Sequence, residues 1–524
     1  MSSIDTFSFD KVGVESICKT PYGRDWPVVY LIANENELYV GETISAYVRT
    51  KQHLDNNVRQ KLRTIHIVYD EEYNKSAALD IESSLIQYLA ADGHYKLQNS
   101  NGGLQNHSYF DREKYISKFE ILWGELQKKE IAFNDLVHIR NTDLFKFSPY
   151  KTLTAEQLLI AEKLLQEISK DVSKTFVING GPGTGKTILA VYLVKQIVEK
   201  GQRNVALVIA MTALRKTLQK VFSKIKGLNS SMVIGPNEVV GNVYDVLVVD
   251  EAHRLRQRTN ITNYRSFDSS NKFFNFDEKG TELDWIVAST KKAILFYDEQ
   301  QSVRPSDIRQ SKIESYNPTH LYLKTQMRSK GGESYIDFIE SILELNSLYI
   351  KNFLDYDFKV LDDIEELINL IKSKDADHGL CRIIAGYAWP WNSRVDKNKA
   401  DIIIDKTKLF WNSVTQDWVN SQNAMNEVGC IHTIQGYELN YAGVIIGPEI
   451  TYDESKKMIK IDREKYFDAN GKRSVWNDDE LKRYIKNIYK TLLTRAVHGT
   501  YVYICDPGLK KYFKQRIQSI QNKI

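Results

Sequence analysis

The chain has 524 residues, of which 42% are hydrophobic and 26% charged, and its formal net charge is +4. This length exceeds a single hydrophobic core and allows about three domains, while the small net charge excludes a polycation that binds nucleic acid by bulk charge alone. The cysteines form no CxxC pair, the N-terminus MSSIDTFSFDK has no apolar signal region, and no apolar run approaches the ~20 residues that span a bilayer, so we expect a cytoplasmic protein with no membrane partner.

The first predicted elements form a small α/β domain. Residues 28–32 (VVYLI) and 37–40 (ELYV) are two strand candidates joined by the short polar turn ANEN. A helix that carries Arg49, a strand at 64–69 and a helix at 76–90 are expected to follow.

Four side chains of this region have groups suited to phosphodiester hydrolysis. Tyr30 and Tyr39 lie on the adjacent strands, and Arg49 on the helix can bind a scissile phosphate through two hydrogen bonds. Glu82, in LDIESSLIQYL, can hold a metal ion that offsets developing negative charge, while a tyrosine orients the attacking water. The alternative is structural: tyrosines of hairpins commonly pack across strands, and charged residues on helices are usually solvated.

The fragments VVY and YVG, followed by Arg49 and Glu82, resemble the GIY-YIG nuclease domain over about residues 25–110. This resemblance implies a nuclease domain at 1–125 and a linker at 126–150. It also implies the catalytic residues Tyr30, Tyr39, Arg49, His53 and Glu82, of which Glu82 binds Mg²⁺ or Mn²⁺.

Some roles within this resemblance stay open. His53 is a base or a phosphate ligand, and the sequence does not decide whether a tyrosine or this histidine is the general base. Asn99 stands where the family often has a supporting asparagine, and Val28 replaces the first glycine, whose role is structural. The stretch 46–63 (AYVRTKQHLDNNVRQKLR) is either a surface that binds a nucleic-acid backbone or a solvated helix.

A glycine-rich segment follows, NGGPGTGKTILA at 179–190, between the apolar run TFVIN and an apolar helix. Glycines allow the backbone to curl so that several N–H groups face phosphate oxygens, and the helix adds its positive N-terminal dipole. We expect Lys186 to reach the β- and γ-phosphates of ATP, and the Thr187 hydroxyl to hold Mg²⁺. The predicted loop residues are Gly180, Gly181, Pro182, Gly183, Thr184, Gly185, Lys186 and Thr187.

The apolar run 246–250 (VLVVD) ends in Asp250 and is followed by Glu251, Ala252 and His253. A buried strand that delivers Asp and then Glu is what nucleotide hydrolysis requires. We expect Asp250 to hold the Mg²⁺ shell and Glu251 to orient and deprotonate the attacking water.

Short apolar runs alternate with amphipathic stretches from about residue 150 onward, which predicts parallel sheets with crossover helices in two units. The runs lie at 175–178, 205–209, 246–249, 293–297, 382–387, 444–447 and 501–505. Residues 331–375 are expected to form a helical bridge, 252–284 a long loop, and 456–474, with its Asn-Gly pair, an inserted β-hairpin.

Further motifs appear in order along this region. Gln157 in LTAEQ can read the edge of adenine. Asp298 and Gln301 in DEQQ, just past a strand end, are placed where a γ-phosphate sensor belongs. Arg328 in LKTQMRS and Arg495 in LLTRA can neutralise charge that develops on the γ-phosphate. Gly436 and Glu438, in IHTIQGYELN, are further candidates for nucleotide binding.

This series resembles superfamily 1 helicases over residues 153–505. DEAH at 250–253 suggests superfamily 2, but DEQQ and TRA are typical of superfamily 1 and no QxxGRxGR-type motif is present. GYAWPW at 386–391 and the segment 426–449 resemble an uncharacterised bacterial P-loop family related to the helicase-like domain of Schlafen proteins. The resemblance implies an α/β fold, with RecA-like parallel-sheet domains at 151–330 and 376–524 after the small α/β domain, and ATP with Mg²⁺ as cofactors.

The predicted function is an ATP-dependent DNA endonuclease-helicase in prokaryotic (antiviral) defence against foreign DNA or in DNA repair, with DNA preferred to RNA. Copies of itself or defence-system proteins are conceivable partners. One alternative is a nucleotide-gated nuclease without unwinding. The segment between the apolar run 205–209 and the run 246–250, which ends in Asp250, is too short for the large insertion that processive motors carry. Another is a remodelling ATPase whose N-terminal domain binds DNA without cutting. Trp389 and Trp391 either stack on nucleobases or pack under the second sheet.

Overall fold

The computed structural model describes residues 2–99, 102, 111–170, 172–202, 204–346, 353 and 355–521. The chain divides into two compact units. The first comprises Met1–Leu158, Val191–Gln202 and Leu218–Met232, and the second comprises Leu159–Ala190, Arg203–Thr217 and Val233–Ile524. Among the described residues, no helix combines the length and the apolar character needed to cross a membrane.

The N-terminal part contains a five-stranded sheet in the order β1-β4-β2-β3-β5. Its strands are β1 (Ser3–Ser8), β2 (Val28–Ala33), β3 (Glu37–Thr43), β4 (Thr64–Tyr69) and β5 (Lys96–Leu97). The helices of this part are α1 (Lys11–Cys18), α2 (Ala46–Leu54), α3 (Lys75–Asp92), α4 (Arg112–Lys128), α5 (Leu136–Asn141) and α6 (Asp143–Lys146), and α7 (Ala155–Ile168) follows.

The predicted hairpin, strand and helices of this region are confirmed. Strands β2 and β3 are antiparallel and place Tyr30 opposite Gly41. Helix α3 begins at the Asn74 cap, whose side chain accepts a hydrogen bond from Ala77 N, and it ends at Gly93. Strand β1, which the sequence analysis did not identify, pairs with β4.

The first parallel sheet has six strands in the order β11-β6-β10-β9-β7-β8. They are β6 (Lys174–Gly180), β7 (Val205–Ile209), β8 (Val233–Ile234), β9 (Tyr244–Asp250), β10 (Thr290–Tyr297) and β11 (Thr319–Leu323). The associated helices are α8 (Lys186–Glu199), α9 (Thr212–Lys224), α10 (Tyr264–Phe273), α11 (Glu282–Ala288) and α12 (Gln310–Glu314). All of these strand pairs are parallel, which confirms the prediction from continuous apolar runs.

The second sheet has seven strands in the order β12-β20-β17-β13-β16-β15-β14, parallel except for the β14–β15 pair. Its strands are β12 (Asp357–Leu361), β13 (Arg382–Ala385), β14 (Ile402–Ile404), β15 (Thr407–Trp411), β16 (Glu427–Cys430), β17 (Leu439–Ile446) and β20 (Ala496–Ile504). A hairpin, β18 (Ile450–Asp453) and β19 (Met458–Ile461), lies outside it. The helices are α13 (Gly332–Leu343), α14 (Ile364–His378), α15 (Ile431–Ile434), α16 (Ala469–Lys472), α17 (Asp478–Leu493) and α18 (Pro507–Gln521).

The fold class is α/β, as predicted: a small α/β domain is followed by two parallel sheets. Both sheets have apolar side chains buried on each face, so their strands are apolar at nearly every position. The hydrophobic core of the N-terminal sheet includes Tyr30, Ile32 and Ile65.

Three local predictions differ from the structure. The expected loop at 252–284 contains helix α10, which the Asn263 side chain caps and whose Phe267 packs on Trp285. The hairpin turns between Asp453 and Met458, whereas the Asn-Gly pair at 470–471 lies in helix α16. The segment 331–375, predicted as a helical bridge, also contributes β12, which pairs with β20; residues 347–352 and 354 of that segment lie outside the described residues.

Candidate functional site

The first candidate site lies at the carboxyl edge of the first parallel sheet, where the loop after β6 leads into α8. Gly183 and Gly185 have φ angles of 81° and 77°, which only glycine adopts without strain. The buried ammonium group of Lys186 donates hydrogen bonds to the carbonyl oxygens of Gly180 at 2.6 Å and Gly181 at 3.0 Å. The loop therefore curls around the lysine, as the sequence predicts for a phosphate-binding loop.

Asp250, at the end of β9, lies beside this loop. The Thr187 hydroxyl donates a hydrogen bond of 2.6 Å to Asp250 Oδ2, while the buried Oδ1 has no partner among the described residues. Burial, together with the negative charge of Glu251, raises the pKa of Asp250 to about 7. A hydroxyl and a carboxylate with a spare oxygen fit Mg²⁺, which prefers oxygen ligands and keeps several waters.

Glu251 follows Asp250 in a left-handed backbone conformation, with φ of 53°, that is uncommon for glutamate. Its Oε2 lies 2.8 Å from Nε2 of the buried His253. Burial raises the pKa of Glu251, but the charges of His253, Lys186 and Arg254 outweigh burial and leave this pKa well below its usual range. Glu251 is therefore a carboxylate held next to the phosphate-binding loop.

Asp298 connects the lysine of the loop to the DEQQ segment after β10. Its Oδ2 lies 3.5 Å from Lys186 Nζ and accepts a hydrogen bond of 2.5 Å from Gln301 Nε2. All three side chains are buried. The structure thus brings the predicted sensor Gln301 to the loop through Asp298.

Two arginines complete this site. Arg328 Nε donates to Glu438 Oε1 at 3.0 Å, and a Cβ added to Gly183 would lie 2.9 Å from Arg328 Cβ. Arg495 is buried, donates to Tyr437 O at 3.2 Å, and keeps a buried Nε without a partner among the described residues. Burial and the positive charge of Arg328 lower the pKa of Arg495 to about 9. Two buried or half-buried cations of this kind favour a bound anion.

Two further predicted nucleotide-binding residues, Gly436 and Gln157, contact other parts of the protein: Gly436 lies against Leu214, and Gln157 pairs with Thr154. Gly436 has a φ of 85°, and any Cβ there would lie 3.1 Å from Leu214 Cδ1. Gln157 is buried at the start of α7, where its Oε1 accepts from Thr154 N at 3.0 Å and Thr154 Oγ1 accepts from Gln157 N at 3.2 Å. This reciprocal pair caps the helix.

A cavity of about 570 Å³ opens beside the loop after β7, and we call it the arginine pocket. Its walls carry Arg254, Arg256, Arg304 and His432. Arg254 donates to Asp307 at 2.9 Å, and its Nε and Nη2 are buried without partners among the described residues. No local pattern in the sequence marks these arginines, because they are spread over two loops and show no charge run.

The second candidate site lies in the N-terminal sheet. Tyr30 Oη and His53 Nε2 are 2.7 Å apart, and Arg59 Nη1 contacts His53 Nδ1. Because arginine only donates, His53 Nδ1 accepts this bond and the proton of the neutral ring lies on Nε2. Burial, with the charges of Arg59 and Arg49, lowers the pKa of His53 to about 3. Tyr39 completes the cluster, with Arg59 Cζ 3.7 Å from its ring centre.

Arg49 and Glu82 border the same cluster. The Arg49 side chain interacts with the Tyr30 hydroxyl, and this interaction raises the pKa of Arg49. Burial, and then the carboxylate of Glu42, raise the pKa of Glu82 to about 7, while Lys75 and Arg49 act in the opposite direction. A half-buried carboxylate near an arginine fits Mg²⁺ held by one carboxylate, waters and a substrate phosphate. Within the described part of the chain, no group of three or more His, Cys, Asp or Glu residues is arranged around a common metal position.

Two features fix the surroundings of the tyrosines on β2 and β3. Asn99 pairs with the backbone of Val40, accepting from its N–H at 3.1 Å and donating to its C=O at 2.8 Å. A Cβ on Gly41 would lie 2.3 Å from the Tyr30 hydroxyl, so only glycine fits there. No sequence pattern distinguishes Arg59, Glu42 or Lys75 individually, since ordinary surface helices and strands carry such charges.

Comparison with known protein families identifies the region that contains both parallel sheets. Residues 173–506, more than half of the chain, match the family described as "Schlafen group 3, DNA/RNA helicase domain". The chain belongs to this family. The matched range includes Lys186, Thr187, Asp250, Glu251 and Arg495. The domain is a helicase-type ATPase that uses a nucleotide and Mg²⁺. Gln157 and the residues of the N-terminal sheet lie outside the matched range.

Individual proteins show weaker likenesses. Uncharacterized protein YPL245W of Saccharomyces cerevisiae is 28% identical over 422 residues, which cover 69% of this chain and 90% of that protein. Pif1 helicase from Candida albicans is 11% identical, with a TM-score of 0.30 over 71% of this chain and 100% of that one. The DUF1998 helicase MrfA bound to DNA is 8% identical, also with a TM-score of 0.30, over 71% of this chain and 51% of that one. Nothing about function follows from structural likenesses this low.

Proposed function

We propose that the protein is an ATP-dependent DNA endonuclease-helicase, in which a Schlafen group 3 helicase domain supplies ATP hydrolysis and the N-terminal sheet supplies phosphodiester cleavage. The observation that carries the ATPase half is the Thr187–Asp250 hydrogen bond beside Lys186, Glu251 and Arg495. A role in defence against foreign DNA or in DNA repair is part of the proposal.

In the ATPase site each residue has one task. Lys186 and the loop N–H groups bind the phosphates, and Thr187 and Asp250 hold Mg²⁺, which neutralises phosphate charge when bound. Glu251, an ionised carboxylate beside the loop, orients the attacking water and accepts its proton. Arg495 and Arg328 neutralise charge that develops on the γ-phosphate.

In the nuclease site, the positions of the protons on His53 and Tyr30 limit the catalytic roles of these two side chains. His53 donates through Nε2 to Tyr30 and accepts from Arg59 through Nδ1, so neither ring nitrogen is free to take a proton from water. Tyr30 accepts from His53, which leaves its own O–H to donate to a phosphate oxygen or to the attacking water, whose proton passes to solvent. Arg49 binds the scissile phosphate, and Glu82 holds the metal ion, which offsets charge on the leaving oxygen when bound.

The arginine pocket supports nucleic acid as the substrate. Arg254, Arg256 and Arg304 line one cavity, and the side chains of Arg256 and Arg304 are exposed and half-buried, respectively. Guanidinium groups bind phosphate oxygens in a bidentate manner, and such contacts position a strand without reading its sequence. The family description includes both DNA and RNA, and we propose DNA as the main substrate.

A nucleotide-gated nuclease without unwinding is the second candidate. Between β7 and β9 the first sheet has only helix α9, short 3₁₀ turns and the two-residue strand β8, with no inserted domain. In this second candidate function, ATP binding activates the nuclease and no strand separation occurs. A third version, a remodelling ATPase that binds DNA without cutting, requires an inactive N-terminal site.

Plasmid cleavage separates these versions. Supercoiled DNA is incubated with the protein and Mg²⁺, with and without ATP, and Lys186→Ala serves as the variant without ATPase activity. Nicking that requires ATP and is lost in Lys186→Ala supports coupling, whereas no nicking under any condition contradicts the endonuclease. Displacement of a labelled strand by a cleavage-deficient Glu82→Gln protein distinguishes a helicase from a gate.

A further inference from the structure

A second cavity, of about 390 Å³, opens beside the carboxyl end of β13 in the second parallel sheet. We call it the aromatic pocket. The GYAWPW loop forms one wall with Tyr387, Trp389 and Trp391, and residues 467–470 before and within α16 form the other, with Phe467 at the rim. A cavity of this size is typical of small organic ligands or of a single base of a larger one.

The tryptophans of the loop both pack and line the pocket. The Trp391 ring lies 6.2 Å from the buried Trp411 ring and 6.3 Å from the Tyr387 ring, so one side is anchored on the sheet. Trp389 and Trp391 are only partly buried, and Phe467 keeps 43% of its surface exposed. Both tryptophans therefore keep some accessible surface while they line the cavity.

Arg304 lines both the aromatic pocket and the arginine pocket, which makes the two cavities neighbours. Its Nη2 lies 2.5 Å from His432 Nε2, and its buried Nε has no partner among the described residues. Arg394 adds a second guanidinium, with Cζ 4.9 Å from the Trp391 ring centre. Asp468 offers a carboxylate, but it is engaged by Arg304 at 3.5 Å and by the backbone N–H of Asn470 at 3.1 Å.

We propose that the aromatic pocket binds one unstacked nucleobase of a single strand whose neighbouring phosphates lie in the arginine pocket. The inference rests on the proposed function in taking nucleic acid as the ligand. Every base has a π-face that stacks on aromatic rings and on guanidinium planes, so such a pocket tolerates any sequence. The guanidinium groups of Arg304 and Arg394 disfavour the other common ligand of aromatic cages, a methylated ammonium group.

The test measures binding of fluorescently labelled single strands, oligo-dT and oligo-rU, by anisotropy. Trp391→Leu keeps apolar volume but removes the π-face, and we expect an about 5- to 100-fold weaker Kd for the strand that the wild type prefers. Phe467→Ala removes the exposed ring at the rim and is expected to weaken binding in the same direction. Trp476→Leu is the matched control, because Trp476 is 92% exposed and does not line the pocket.

A single abasic position moved along oligo-dT adds an independent readout. A base pocket predicts that one position weakens wild-type binding and that the same position no longer matters in Trp391→Leu. ATPase activity without nucleic acid verifies that each variant is folded. If Trp391→Leu is misfolded, the comparison uses Phe467→Ala with the same abasic series.

The outcomes are separable. Wild-type affinity in both pocket variants, with no sensitive abasic position, overturns the base pocket and leaves the proposed function intact. No binding of either strand by the wild type overturns both. Quenching of tryptophan fluorescence by tetramethylammonium, lost in Trp391→Leu and without any effect of oligonucleotide, assigns the pocket to a cation and overturns the proposal.

Discussion

Lys186 and Asp298 form a buried ion pair, with 3.5 Å between Nζ and Oδ2, that joins the phosphate-binding loop to the DEQQ segment. Because Asp298 also accepts a hydrogen bond from Gln301, one carboxylate orients both the lysine and the sensor. If Lys186 binds the γ-phosphate, as we propose, a shift of the lysine also acts on Gln301 through Asp298. We propose this pair as the route by which the nucleotide state reaches the DEQQ segment.

Substitution of Asp298 tests this route. Asp298→Ala removes the acceptor of Gln301 and the partner of Lys186. We expect the kcat of ATP hydrolysis to fall about 10- to 100-fold, as for the loss of other partners that orient functional side chains. Asp298→Asn keeps an acceptor for Gln301 and is expected to lose less. Steady-state ATPase assays measure both, with the exposed neighbour Glu299→Ala as control. Unchanged kcat in Asp298→Ala contradicts the positioning role.

Magnesium dependence tests the Thr187–Asp250 pair. Removal of divalent ions with EDTA should abolish ATP hydrolysis. Thr187→Ala deletes the hydroxyl, so we expect half-maximal activity to need about 10-fold or more Mg²⁺, since ligand losses of this kind typically weaken metal sites by that factor. Thr187→Ser, which retains the hydroxyl, should resemble the wild type. A Mg²⁺ titration that is identical in Thr187→Ala and the wild type would show that Thr187 is not a ligand.

Glu82 is the residue on which the nuclease proposal depends most. Glu82→Gln keeps the shape of the side chain but removes the charge that holds the metal, so we expect plasmid nicking to disappear while ATPase activity is retained. The exposed Glu71, in the loop before α3, provides the control Glu71→Gln, which should nick at the wild-type rate. Nicking that persists in purified Glu82→Gln would place the cleavage site elsewhere.

The contact of Arg59 with His53 gives a second nuclease prediction. Arg59→Ala removes the donor to Nδ1 and a positive charge, so the pKa of His53 should rise from about 3, although burial still holds it below its usual value. Cleavage by the variant should then change toward low pH, because protonation places a positive charge on the ring that contacts the Tyr30 hydroxyl. The pH profile of nicking by the variant measures this effect, and a profile that matches the wild type between pH 5 and 8 counts against it.

Glu449 makes stability depend on pH. Burial raises its pKa to about 7, and the groups that face it, Tyr489, Tyr466 and Cys505, have pKa values raised by burial and stay neutral. The folded state holds a proton that the unfolded chain loses above about pH 4.5, so stability falls as pH rises from about 4.5 to 7, by at most about 3 kcal/mol.

Glu449→Gln keeps an acceptor for the Tyr489 hydroxyl, which bonds Glu449 Oε1 at 2.5 Å, without the charge. The free energy of unfolding of the variant minus that of the wild type should therefore be more positive at pH 8 than at pH 5. Urea unfolding at the two pH values measures the difference, with the exposed Glu464→Gln as control. Equal pH dependence in Glu449→Gln and the wild type would mean that Glu449 does not titrate in this range.

Local patterns predicted much of the fold. Strands β7 and β4 begin and end at the expected residues, because a strand buried on both faces is apolar throughout and a short strand between turns has clear limits. Helix α10 was missed because its apolar side is only a few residues wide in a polar stretch. Strand β12 was missed because its pairing with β20 depends on residues more than a hundred positions away.

By itself the sequence determined the α/β fold class, the phosphate-binding loop, the Asp-Glu pair and the order of helicase motifs, since each is a short pattern whose chemistry is local. Only the tertiary structure decided which groups meet. The Thr187–Asp250 bond, the Arg59–His53 contact and the shared Arg304 of the two pockets join residues from separate elements, in two cases far apart in the chain. Such contacts arise from strand order and packing, which no local periodicity encodes.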